Sequence, residues 1–269
     1  MATRTDARAT TAMPLHDFRS QRLFVDGPLA AGTTLPLDRA QANYLLNVLR
    51  MADGDALLVF DGASGEWRAR LVAEGRKKGH LTVEVRERAQ TPSGDLHYLF
   101  APLKSGRLEY MVQKAVEMGV SHLQPVMTER TQAKAPRRDK MEAQAIEAAE
   151  QCGVLALPTI GDAVPLAEAL AASPGRQVVF CDERAAEDGP IAALSALEGR
   201  PVSLLIGPEG GFSDAEREAI LARGDVARIS LGPRILRADT AAVAALALVQ
   251  ATIGDWRGGD WRAEAPPAD

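Results

Sequence analysis

The 269-residue sequence predicts an α/β protein in two parts: a small β-rich unit, then a doubly wound, mostly parallel sheet. Three observations lead there. Short strands with Asp-Gly turns fill the first third of the chain. From residue 96 the rhythm changes to strand–helix–strand. Hydrophobic residues at 46% against 25% charged ones give the balance of an ordinary globular protein. Aromatic residues make up only 4%, so Ala, Val, Leu and Ile must build the core. The expected boundaries are a flexible tail over 1–16, a β-barrel over 17–90, an α/β domain over 91–255 and a second tail over 256–269.

In chain order, Arg22 to Val25 is the first strand and stops at Asp26-Gly27-Pro28. Asp38 to Arg50 reads as a helix burying Ala42, Leu45, Leu46 and Leu49. Ala56 to Phe60 is a strand closed by Asp61-Gly62. Trp67 to Val72 and Leu81 to Val85 alternate with period two, and Gln90 to Asp95 is a linker. Beyond it come a buried strand, Leu96 to Leu103, and a helix, Arg107 to Gly119. His122 to Met127 is the next strand and Lys140 to Gln151 the next helix, ended by Gly153. Strands follow at Gln177 to Asp182 and Val202 to Ile206. Ser213 with Glu216 three residues on is a capping box opening a helix. A strand at Ala227 to Leu231 and an Ala-rich helix from Ala238 to Ile253 complete the series.

Several classes drop out. The longest apolar runs fall well short of a membrane span. Cys152 and Cys181 cannot form a disulfide framework, no His/Cys cluster has metal-ligand spacing, and no metal is expected. Met1 to Met13 lacks an apolar segment and is not a secretory signal, so a cytoplasmic protein is expected, with Met13 as an alternative start. Net charge is −5 but uneven: +1 over 17–90, +3 over 91–141 and −10 over 142–269. The first half can therefore present a basic face to phosphate.

Two loops carry the chemistry. Ile206-Gly207-Pro208-Glu209-Gly210-Gly211-Phe212-Ser213 runs from an apolar strand through three glycines into a capped helix. It fits neither the dinucleotide fingerprint nor the P-loop. It is either a tight βα turn or a ligand loop working through backbone contacts, with Glu209 as its polar handle. Ser230 to Ala241 likewise ends a strand in glycine before a helix. There Arg234 and Arg237 can hold an anion or pair with Asp239, and Asp239 or Thr240 can cap the helix. Cys181 ends an apolar strand and reads as core rather than nucleophile.

Five segments, taken together, resemble bacterial 16S rRNA uridine-N3 methyltransferases of the SPOUT class. They are Phe18 to Val25, Tyr44 to Met51, Lys114 to Val120, Ile206 to Ser213 and Leu231 to Thr240, in the same order from residue 18 to about 254. The resemblance implies a PUA-like β-barrel for RNA, a trefoil-knotted sheet binding S-adenosylmethionine, and a homodimer. Chain physics alone would have stopped at a doubly wound sheet, since knots are very rare. Cys152-Gly153-Val154 departs from the family's usual Ser-Gly-Arg, and Arg237-Ala238-Asp239-Thr240 from its Arg-Thr-Glu-Thr.

The resemblance puts the cofactor in three loops: on Cys181 and Asp182; on Ile206, Gly207, Pro208, Glu209, Gly210 and Gly211; and on Leu231, Gly232, Ile235, Leu236 and Arg237. For a uridine N3 that must lose its proton, Arg237 is expected to stabilise the charge and Glu209 or Asp239 to take the proton. RNA contacts are expected from Arg19, Arg22, Arg50, Arg68, Arg130, Lys134, Arg137 and Arg138, with 16S rRNA of the small ribosomal subunit as partner. Two rival readings stay open here: a non-catalytic RNA-binding assembly factor on the same fold, and a related enzyme acting on another RNA.

Overall fold

In the computed structural model, which describes residues 20–185 and 189–257, two sheets account for the two halves of the chain. Arg19 and all but the start of the expected C-terminal tail lie outside those residues. The first half contains β1 (Arg22–Phe24), β2 (Thr34–Pro36), α1 (Arg39–Asn43), β3 (Ala56–Phe60), β4 (Glu66–Ala73) and β5 (Gly79–Arg88). They pair in the order β1-β3-β4-β5-β2, parallel between β1 and β3 and antiparallel elsewhere. Alternate residues Leu57, Val59, Ala69, Leu71, Leu81 and Val83 point to one buried cluster, as period-two patterning requires. The helix expected over 38–50 begins on an Asp38–Gln41 capping box and then widens into a π turn, Tyr44–Val48. There the Leu49 amide reaches five residues back to Tyr44, and Arg50 ends the turn at φ 58°.

The second half is β6 (Leu96–Phe100), α2 (Ser105–Glu117), β7 (His122–Met127), α3 (Arg138–Cys152), β8 (Thr159–Ile160), β9 (Val164–Pro165), α4 (Leu166–Ala171), β10 (Gln177–Cys181), α5 (Pro190–Ser195), β11 (Val202–Ile206), α6 (Asp214–Leu221), β12 (Val226–Ile229) and α7 (Ala238–Thr252). Its strands run β12-β10-β11-β6-β7-β8, all parallel, with β9 also on β7. Successive side chains go to opposite faces. Tyr98, Phe100, Val179, Leu204 and Ile206 meet α2, α3 and α7 on one face. Leu99, Val178, Phe180 and Leu205 meet α4 and α6 on the other. Burial on both faces is why these strands read as continuous apolar runs.

A buried ionic joint ties the halves together. Glu66, 3% exposed, accepts from Arg22 at 2.8 Å and from Arg88 at 3.0 Å. Arg88 also donates to the carbonyl of Gly153, the left-handed residue (φ 69°) that terminates α3. On α3, Glu150 accepts from the Phe24 amide at 2.8 Å.

Candidate functional site

β12, β10 and β11 lie side by side and parallel, so the loops leaving their carboxyl ends must meet on one side of the sheet. They enclose a cavity of about 270 Å³. That is close to the low end of the roughly 300–1,000 Å³ typical of small-molecule sites. The β10 loop contributes Cys181 and Asp182, and the β11 loop Ile206, Gly207, Pro208, Glu209 and Gly211. Leu231, Gly232, Ile235 and Leu236 come from the β12 loop, while Ala238 and Ala241 of α7 close the base. Gly210 and Arg237, expected on the cofactor, do not line the cavity, and neither does Asp239.

The glycines have separate reasons. A Cβ on Gly207 would lie 2.6 Å from the Phe212 ring, which is buried edge-on against Phe180. Gly211 (φ 66°) and Gly232 (φ 96°) hold left-handed turns that side-chain-bearing residues resist. Ser213 caps α6 through the Glu216 amide, and Glu216 Oε2 accepts from the Ser213 amide, the box expected from the sequence.

Asp182 is 4% exposed and held by arginines that sequence spacing could not connect to it. Arg217 of α6 donates to it at 2.8 Å, Arg228 of β12 lies at 2.9 Å, and the Arg184 amide binds at 3.0 Å. Burial pushes this carboxyl up, but the hydrogen bonds and the two cations outweigh it and leave it below the usual value. Its oxygens are thus spent on framing the pocket. Burial pushes the Cys181 thiol up to about 12, consistent with a core role.

The rim is charged. Glu209 accepts from Arg107 of α2 at 2.9 Å, and the Gly210 carbonyl accepts from Arg130 at 3.1 Å. Arg107 belongs to the charged Lys104–Glu109 segment at a strand end, open from the sequence to either substrate contact or a solvated helix start; its pairing with Glu209, 102 positions away, was not readable there. Arg234 and Arg237 are exposed and make no ion pair among the described residues, so the expected pairing with Asp239 does not form. The capping expectation is also corrected: Arg237 stands at the cap position of α7 without a side-chain cap, and Asp239 only accepts from the adjacent Thr240 amide at 2.9 Å.

Of the expected RNA contacts, Arg22 is corrected outright. It is 7% exposed and its guanidinium is committed to Glu66, so it stabilises the joint instead of meeting phosphate. Arg50 and Lys134 are exposed, and Arg68 pairs with Glu87 while keeping nearly half its side chain in solvent. Arg137 and Arg138 are exposed and pair with Asp139 and Glu142. Among the described residues of this set, only Arg130 reaches the pocket rim.

Comparison with known proteins follows this geometry. An RNA methyltransferase domain matches residues 89–250 and an RNA methyltransferase PUA domain matches 37–84. Ribosomal RNA small subunit methyltransferase E of Synechocystis is 34% identical over 239 residues, covering 86% of this chain and 78% of the relative. The chain belongs to the ribosomal RNA small subunit methyltransferase E family. The family member of Rickettsia conorii is 29% identical over 85% of this chain and 94% of its own. Among solved structures, the Neisseria gonorrhoeae family member bound to S-adenosylmethionine aligns with a TM-score of 0.77 at 27% identity, over 87% of this chain and 98% of that one. A Legionella pneumophila protein in complex with the same cofactor gives 0.78 at 29% identity, over 88% and 99%. The methyltransferase match spans β6 to α7 and hence all three pocket loops, and the PUA match falls within the first sheet.

Proposed function

We propose that this family member transfers a methyl group from S-adenosylmethionine to N3 of a uridine in 16S rRNA. The observation that carries it is the cavity where β10, β11 and β12 end, lined by glycines, by apolar side chains such as Phe180, Ile206 and Leu231, and by charged groups at its edge. Backbone groups of the loops after Cys181, Ile206 and Ile229 are the donors and acceptors available to hold the adenine and the methionine arm.

Bound S-adenosylmethionine supplies an activated methyl group. The chain must orient the uridine, remove the N3 proton and stabilise the resulting charge on the base. Arg237, exposed beside the pocket and without a carboxylate partner among the described residues, is assigned the charge-stabilising role. Glu209 is assigned the proton, since it lines the cavity and Asp239 does not. Because N3 lies in the pairing edge, the target must be unpaired or flipped out. Arg50, Arg68, Arg130, Lys134, Arg137 and Arg138 are the phosphate contacts in this reading. The family resemblance further implies a trefoil knot, a cytoplasmic homodimer and a small-subunit substrate. A monomer mass by light scattering would remove the dimer.

The decisive experiment incubates the protein with labelled S-adenosylmethionine and small subunits from cells lacking the family enzyme, then digests the RNA for mass spectrometry. Labelled 3-methyluridine at one 16S position is the expected result. Cofactor binding without that label redirects the substrate to another RNA; absence of both leaves the RNA-binding assembly factor. Given activity, Glu209→Gln should lower kcat. An equal effect from Asp239→Asn alone would move the proton to Asp239.

A further inference from the structure

Two arginines from different elements grip consecutive residues at the tip of the glycine loop. Arg107, in the first turn of α2, donates one N–H to Glu209 at 2.9 Å. Arg130, in the loop between β7 and α3, donates one N–H to the Gly210 carbonyl at 3.1 Å. Among the described residues these are the only hydrogen bonds either guanidinium makes. A guanidinium carries five N–H donors in a rigid fork, so most of each remains available on the outer side. The Arg107 side chain is 42% exposed and Arg130 is exposed.

The loop bearing Arg130 is fastened to the pocket a second time. Glu216 closes the capping box of α6 with Oε2 and accepts the Glu129 amide with Oε1 at 2.8 Å. One carboxylate thus anchors both the helix that follows the glycine loop and the basic segment containing Arg130, Lys134, Arg137 and Arg138. Thr131 holds that turn closed through its hydroxyl to the Thr128 amide and hydroxyl.

We propose that Arg107 and Arg130 bridge RNA phosphates to the cofactor loop, so that RNA and S-adenosylmethionine bind cooperatively; this rests on the methyltransferase reading above. A phosphate on the outer edge of either guanidinium freezes its side chain while leaving the inner N–H on Glu209 or Gly210. The ordering cost of holding the glycine loop is then met once for both ligands, which gives positive coupling. Linkage makes the effect reciprocal. Both are positioning residues, since neither lines the cavity.

The test is calorimetry of S-adenosylmethionine binding to the full chain, with and without unmodified small subunits. In the wild type, RNA should tighten cofactor binding at least about fivefold, the lower end of ordinary allosteric coupling. Arg130→Ala and Arg107→Ala should bring that ratio towards one, and each should lower the salt slope of RNA binding by about one. Arg130→Lys is the discriminating variant. A lysine keeps the charge and the salt slope but lacks the fork needed to hold phosphate and carbonyl together, so it should lose coupling alone. A wild-type ratio of one, or an undiminished ratio in the Arg107→Ala/Arg130→Ala double variant, overturns the proposal. A wild type that binds no cofactor under either condition fails the methyltransferase reading itself.

Discussion

Arg50 is the only non-glycine residue at positive φ among the described residues, and it is exposed. A side-chain-bearing residue in that region costs about 1–2 kcal/mol, a strain that tends to persist where function requires the residue. Arg50→Gly should therefore leave the protein as stable or up to about 1 kcal/mol more stable, while lowering the salt slope of RNA binding by about one. Thermal melts and salt titrations read the two effects separately, and a slope unchanged from wild type would remove Arg50 from the interface. Gly207 works the other way. Gly207→Ala drives a Cβ into the Phe212 ring, and overpacking of about 1–3 kcal/mol should appear as a loss of cofactor affinity of about tenfold or more. Among single residues, the glycine loop was legible because strand, glycines and cap are contiguous. The pairings of Arg107, Arg217 and Arg228 were not, since their partners are 102, 35 and 46 positions away. Arg22 misled for the same reason: an arginine beside a strand looks exposed until Glu66 and Arg88 are seen around it.

Among the elements, α6 shows best what local sequence can specify. Its capping box is readable from Ser213 and Glu216, and both reciprocal bonds form. Ser213→Ala should cost about 1 kcal/mol by denaturant unfolding; no loss would mean that packing of Ile220 alone fixes the helix start. The long strands of the second sheet and the helices α2, α3 and α7 were likewise legible, because continuous apolar runs and helical spacing leave little choice. By contrast β2, β8 and β9, of two or three residues, and α4 and α5, of six, carried no usable signal. Helices so short are marginal by themselves, and such strands exist only through their neighbours, so tertiary contact decides them. The π turn at Tyr44–Val48 belongs with these. Leu45, Leu46 and Leu49 show the correct face, but nothing in their spacing distinguishes a reach of five residues from one of four.

At the scale of the whole molecule, the parallel sheet puts different chemistry at its two ends. The pocket loops lie at the carboxyl ends of the strands; His97 and His122 meet at the amino ends of β6 and β7, with ring centroids 4.8 Å apart. Burial, then Arg176 and His122, push His97 down to about 4, with Asp95 opposing, and burial also lowers His122. Below the ordinary histidine value the unfolded chain takes up protons that the folded chain refuses. Stability should therefore be intact above pH 6.5 and fall as pH drops towards about 4. His97→Asn should flatten that slope in pH-dependent melts, and an unaltered slope would assign it elsewhere. The joint between the sheets makes a stronger claim. Glu66→Ala would remove the carboxylate shared by the buried Arg22 and the largely buried Arg88, at a cost of about 3–5 kcal/mol. On the α3 side, Arg88 holds the backbone carbonyl of Gly153. Neighbouring positions such as Cys152 and Val154 can drift in sequence without cutting that tie, so long as the chain still turns left-handed between them. The two halves can diverge at separate rates and stay fastened through an atom that every amino acid possesses.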